Sequence, residues 1–299
     1  MDTNIAQGTI FHLVPFYALG DILRIMFFIQ SPQGQKRSFT TLKRIIKGSI
    51  NSTTTRTNDI LLSDSLTSYS KVLNDIGLFL WSYYLSSEVQ YNVYLEFFIL
   101  SAPTIMRVSQ CWQEYKLHRG TVRVHLFNMI KYLVSLLPLM INLFIKVTIL
   151  RQHDEQTEIN RLELLNFWWY VVSFLSSSYS CLWDIFMDWK LAIFKGTQLQ
   201  IRPTLLLGSK PFYIMAIWID FVVRFLWIGK LFIDKEINES TRMVTKLTTF
   251  LFAYDAFSAG YTIVELTEIL RRWMWCFLKL ENDYINIQLQ DGIELKTVK

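Results

Sequence analysis

Long apolar runs separated by short polar stretches set the pattern of this chain. A bilayer core about 30 Å thick is crossed by about 20 mostly apolar residues in a helix. Seven segments approach or exceed that length, at about 10–29, 60–84, 91–106, 126–150, 164–187, 212–233 and 247–280. The second is polar in its first half and apolar after Ile76, and the seventh is long enough to project beyond a bilayer. Runs such as LVSLLPLMINLF and FWWYVVSFL are apolar on every helical face. That suits lipid better than the one-sided stripe of a soluble helix. The pattern therefore predicts an all-α, polytopic transmembrane helical bundle of about seven spans.

Composition agrees and excludes other classes. The 299 residues are 52% hydrophobic and 15% aromatic, and 18% are charged, against roughly 25% charged in an average soluble domain. A disordered chain needs the opposite balance. Eleven Gly and six Pro exclude a collagen-like or linker protein. The three cysteines, at 111, 181 and 276, have neither metal-ligand nor redox spacing. The first segment carries Asp21 and Arg24 and has neither a basic leader nor a small-residue cleavage site, so it is read as a span rather than a signal peptide.

The net charge of +5 could serve nucleic acid, anionic lipid or an anionic ligand; its distribution decides. Segments 31–59, 107–123 and 189–210, with the C-terminal region from Arg271, hold nineteen basic residues, while the intervening loops hold six. Cytosolic loops are the basic ones. The expected topology has a lumenal N-terminus and a cytosolic C-terminus, and the basic loops are topology determinants rather than a nucleic-acid surface. Four regions follow: a first transmembrane segment at 1–30, a cytosolic basic linker with a short amphipathic helix at 31–59, the main bundle at 60–284, and a loosely ordered cytosolic tail at 285–299. The sequon Asn238-Glu-Ser240 falls in an expected lumenal loop, and Asn51-Ser-Thr53 on the cytosolic side.

An ionisable side chain within a membrane segment is costly and marks a site by default. Asp64, Lys131, Asp184, Asp188, Asp220, Arg224, Asp255, Glu265, Glu268, Arg271 and Arg272 all fall there. Residues four apart share a helical face, so Asp184 stacks on Asp188, Asp220 on Arg224, with Trp227 nearly one turn on. Asp220–Arg224 and Glu268 with Arg271 or Arg272 also fit plain structural ion pairs. Charges on five segments cannot all face lipid, however, and should share a polar interior. Lys131, Arg224, Arg271 and Arg272 come from three segments. Guanidinium forks match oxyanions bidentately, and the hydroxyls of Thr67, Ser68, Ser70 and Tyr132 can complete a hydrated path for an anion or a proton. His12, His118, His125 and His153 show no catalytic spacing, and neither a P-loop nor a GxSxG motif is present. The Asp184–Asp188 pair is weak support for a lipid-linked transferase. No catalytic residue, metal or cofactor is expected.

Five stretches carry a family likeness: RVSQCWQEYK at 107–116, NMIKYL at 128–133, SYSCLWDIFMDWKL at 178–191, DFVVRFLW at 220–227 and EILRRWMWCFLKLENDY at 268–284. The chain resembles the EXS family from about Pro15 to Asn286. That family includes phosphate exporters related to the xenotropic and polytropic retrovirus receptor, plant PHO-type exporters, and a shorter yeast Golgi branch. The resemblance implies a path for inorganic phosphate lined by Asp64, Thr67, Ser70, Lys131, Tyr132, Asp184, Asp188, Arg224, Trp227, Arg271 and Arg272. For the Golgi branch it implies return of phosphate released by lumenal glycosylation to the cytosol, supporting glycosyltransferase recycling and retention of lumenal endoplasmic-reticulum proteins. The implied partners are membrane lipid, a second copy of the chain, and Golgi glycosyltransferases or a coat adaptor. The alternative is a sorting factor that binds those proteins without transporting anything. The exporters' N-terminal SPX domain has no counterpart in these 299 residues, so its regulation by inositol polyphosphates is not expected. Thr67 stands where the exporters tend to have Asn. Trp112, Gln113 and Glu114 replace the usual basic residues after Cys111.

Overall fold

The computed structural model describes residues 32–51, 56–85, 91–118, 120–151, 155–195, 198–231 and 259–297, with Gly20, Arg24 and Leu251. Most of the first apolar segment, Asn238 and Asp255 lie outside the described residues. Among those described there are eight α-helices: α1 (Pro32–Ile46), α2 (Arg56–Ser68), α3 (Ser70–Leu85), α4 (Val93–Leu117), α5 (Arg123–Arg151), α6 (Glu155–Trp183), α7 (Lys210–Arg224) and α8 (Ala259–Thr297). A π-helical turn, Asp184–Asp188, extends α6, and a 3-10 turn, Leu226–Lys230, follows α7. The one described sheet is an antiparallel hairpin of β1 (Ala192–Lys195) and β2 (Gln198–Ile201), with Ala192 opposite Ile201. The fold is all-α apart from this ribbon.

Local chemistry explains the boundaries. Asn92 caps α4 by accepting from the Tyr94 and Leu95 amides at 2.9 and 3.3 Å, satisfying N–H groups the helix leaves free. The second apolar segment is not one helix, since the chain bends at Tyr69 between α2 and α3. Its hydroxyls compete with the backbone for carbonyls: Ser63, Ser65, Thr67 and Ser70 donate to the carbonyls of Asp59, Leu61, Asp64 and Thr67. Pro103 in α4 and Pro138 in α5 each remove one backbone hydrogen bond from their helix. Helix α8 has 39 residues, about 58 Å of rise. It remains helical to Thr297, through residues the sequence assigns to a loose tail.

Helices α4, α5 and α6 pack in sequence, while α8 packs on α2, α7 and the π turn. The buried apolar cluster lies where these last elements meet: Ile60, Trp189, Leu191, Tyr213, Ala216, Trp275 and Leu278. The outer surface is strongly apolar. Phe98, Phe144, Phe167, Trp218 and Phe277 are all more than half exposed, which water would penalise and lipid would not. Arg123–Leu150 is long and apolar enough to cross a membrane, with mean hydropathy 2.2 and none of its apolar window buried.

Candidate functional site

A chamber of about 340 Å³ lies between α2, α3, α4, α5, α6, α7 and α8. Of the residues expected at a site, Thr67, Ser70, Lys131, Tyr132, Asp184, Arg224, Arg271 and Arg272 line it. Pro138 lies on its wall, as do Thr104, Ser135, Ser176, Ser177, Ser180 and Glu268. Four cations thus meet two carboxylates and a ring of hydroxyls. Such a lining can take over part of an oxyanion's hydration shell.

The cations are held very differently. Arg224 spans two acids, contacting Asp184 and, at 2.9 Å, Asp220. Asp220 is fully buried, and its other oxygen accepts from Arg271 Nη1 at 2.8 Å. Arg271 also reaches Glu268 at 2.5 Å. A continuous chain of charge therefore runs Asp184–Arg224–Asp220–Arg271–Glu268 and ties α6, α7 and α8 together. The plain ion-pair reading of Asp220–Arg224 holds for one oxygen of Asp220, while the other serves a second helix. Trp275 Nε1 donates to Asp184 at 3.1 Å and completes its partners.

Arg272 is different. Among the described residues it meets no carboxylate within 4 Å. Its guanidinium donates to Ser68 Oγ at 2.9 Å and Thr67 Oγ1 at 3.4 Å, and lies 4.9 Å from the Trp275 ring centre. Ser68 in turn donates a hydrogen bond to Glu268 at 3.0 Å. Lys131 is loosely held, 3.5 Å from Asp188, with its ammonium over the rings of Tyr132 and Trp183. Arg272 and Lys131 are therefore the two cations best placed to take an incoming anion.

Three expected residues stand behind the wall rather than in it. Asp64 is buried and accepts from Tyr132 Oη at 2.5 Å and Arg107 Nε at 2.7 Å. Asp188 lies between Lys131 and Lys279, the latter 3.6 Å away. Trp227 donates to Ser177 Oγ at 3.0 Å, which in turn donates to the Arg224 carbonyl. Asp184 and Asp188 do not share a face as α-helical spacing would have it. The π turn closes from Trp189 N–H to the Asp184 carbonyl, and the wider turn sends Asp184 towards Arg224 and Asp188 towards Lys131 and Lys279.

Arg107 has a role the sequence hid. Its place in a basic segment marked it as a topology charge, yet it is 1% exposed. It binds Asp64, Tyr132 and Gln110, the last at 2.6 Å. The usable signal was its spacing: Arg107, Gln110, Cys111 and Glu114 repeat every three or four residues, and all four are buried.

A second cavity of about 700 Å³ shares Ser70, Leu100, Pro138 and Leu139 with the chamber. Lys71, Asp75, Glu96, Lys146, Lys230 and Tyr261 line it. Lys146 is committed to Glu96, at 2.6 and 2.7 Å to the two oxygens.

An apolar exterior around a charged, hydroxyl-lined interior defines an inside-out helical bundle, the build of a membrane protein. Residues 3–285 match the EXS family, and the chain belongs to it. Protein ERD1 of Kluyveromyces lactis is 27% identical over 259 residues, covering 77% of this chain and 59% of that one. The Xenopus laevis xenotropic and polytropic retrovirus receptor 1 homolog is 31% identical over 189 residues, 62% of this chain and 24% of its own. Human solute carrier family 53 member 1 is 26% identical over 251 residues, 76% of this chain and 32% of its own. The chain thus spans little more than half of the first of these relatives and a third or less of the others.

Proposed function

We propose that this chain moves inorganic phosphate across a Golgi membrane, returning to the cytosol the phosphate released by lumenal glycosylation. Glycosyltransferase recycling and retention of lumenal endoplasmic-reticulum proteins then depend on it indirectly. The observation that carries this reading is the chamber, where Arg272 presents a guanidinium that, among the described residues, is held by hydroxyls and an aromatic face, beside Lys131 and the carboxylate-bound Arg224 and Arg271. Phosphate offers oxygens enough for Arg272 and the loosely held Lys131 at once, and Ser and Thr hydroxyls can bond the rest. The carboxylates temper the field. A path needs binding strong enough to admit an ion and weak enough to release it, and four cations with no acids would hold phosphate too long. This function involves no covalent step.

The proposed architecture has seven membrane crossings, a lumenal N-terminus and a cytosolic C-terminus. It supports the reading that Arg44, Arg56, Glu114, His118 and His125 gather at one polar end of the bundle. Glycan mapping tests the topology, with modification expected at Asn238 and not at Asn51. The transport assay is phosphate uptake into proteoliposomes. Arg272→Gln should reduce flux about a hundredfold, since losing one partner of a desolvated charged contact costs about 2–5 kcal/mol. Undiminished flux in that variant would falsify the proposal.

A further inference from the structure

Among the described residues, helix α1 is fastened to the bundle near its C-terminal end. Ile45 is fully buried, and Arg44 grips Asp59 at 2.6 and 2.7 Å. Gly48 follows at φ +64, pressed so closely against Ser109 that a Cβ would stand 2.5 Å from its Oγ. Ser49 then accepts from Gln110 at 3.1 Å. These contacts place α1 beside the polar end of the bundle, where Arg56, Glu114 and His125 meet.

The exposed positions of α1 include two neighbouring arcs. Phe39, Leu42 and Ile46 recur at helical spacing on one arc, with Phe39 49% and Ile46 59% exposed. Lys36 and Lys43 lie beside them, one position per two turns, and Lys47 follows in the next turn. All three lysines are exposed, and among the described residues none pairs with a carboxylate. A helix that faced water alone would gain nothing from a half-exposed apolar arc. An acidic protein partner would be met by the lysines but not by the apolar arc beside them. An apolar arc directly bordered by ammonium groups matches the depth profile of a lipid leaflet, with acyl chains below and phosphates at the lysine level.

We propose that α1 is an interfacial helix whose Lys36 and Lys43, with Lys47 just past its end, bind the phosphate-bearing headgroups of anionic phospholipids. This surface is separate from the chamber, so the inference is independent of what crosses the bundle.

The test titrates the delipidated full chain, in neutral detergent, with phosphatidylinositol 4-phosphate, phosphatidylserine or phosphatidylcholine, counting bound lipid by native mass spectrometry. The two anionic lipids should be retained and phosphatidylcholine should not. Lys36→Glu/Lys43→Glu/Lys47→Glu should weaken anionic retention on the order of a hundredfold, as three reversed charges near an anionic surface imply. The triple Lys→Arg variant should keep it, and high salt should erase it. Where the Glu variant fails to fold, the triple Lys→Gln variant should show the same loss to a smaller degree. Three results would each overturn the inference: equal retention in the Glu or Gln variants, displacement of the lipid by millimolar inorganic phosphate, or binding of acidic polypeptide with no preference for anionic lipid.

Discussion

The two cavities share a wall but use charge in opposite ways. The larger, at about 700 Å³, has three lysines scattered around it, one of them locked to Glu96. The smaller, at about 340 Å³, converges four cations from three helices, and among the described residues Arg272 has no carboxylate within 4 Å. Volume alone is a poor guide to a binding site. What marks the smaller is convergence: Arg224 and Arg271, bridged by buried Asp220, stand beside Arg272, which donates to hydroxyls.

Five substitutions break or sharpen that contrast, in descending order of effect, with Arg272→Gln as the control for Asp220→Asn. Arg107→Met removes the buried partner of Asp64 and should destabilise the bundle by about 3–5 kcal/mol, because a buried charge is left uncompensated. Thermal unfolding in detergent reads it, and a change under about 1 kcal/mol would show that Arg107 is dispensable to the chamber wall. Asp220→Asn weakens the link shared by Arg224 and Arg271, with an expected loss of about 2–3 kcal/mol. By the same measurement Arg272→Gln should cost little. If both were equally disruptive, the distinction between structural and ligand-facing arginines would fail. Lys131→Gln should lower phosphate affinity about tenfold in calorimetry, as one charged hydrogen bond implies. Lys146→Gln, in the larger cavity, should change affinity by less than about threefold. A larger effect than that of Lys131→Gln would move the principal anion site into the other cavity.

Much of this was legible from residue pattern. Lys131, Arg224, Arg271 and Arg272 stand out because ionisable groups in apolar runs are rare, and the structure brings all four to one chamber. Helical spacing also gave the Asp220–Arg224 pair. It could not give the second partner of Asp220, because long-range pairing between α7 and α8 leaves no local trace. Nor could it separate Asp184 from Asp188, since a π turn has no reliable sequence signature and the assumption of 3.6 residues per turn is what fails there. Arg107 was misread for a different reason. A basic residue at the end of an apolar run looks like a topology signal, and only the buried Asp64 two helices away shows otherwise. Ser176, Ser177 and Ser180 were passed over because small hydroxyls are common in membrane helices, where they serve packing as well as chemistry.

The doubly engaged carboxylate of Asp220 has a mechanical corollary. With Arg224 on one oxygen and Arg271 on the other, α6, α7 and α8 cannot slide past one another without parting strong, dry contacts. Opening and closing of the chamber is then expected to be a swing of α3 to α5 against a stationary tripod. Distance measurements between spin labels on α7 and α8 should stay constant when phosphate is added, while those from α5 to α8 should not.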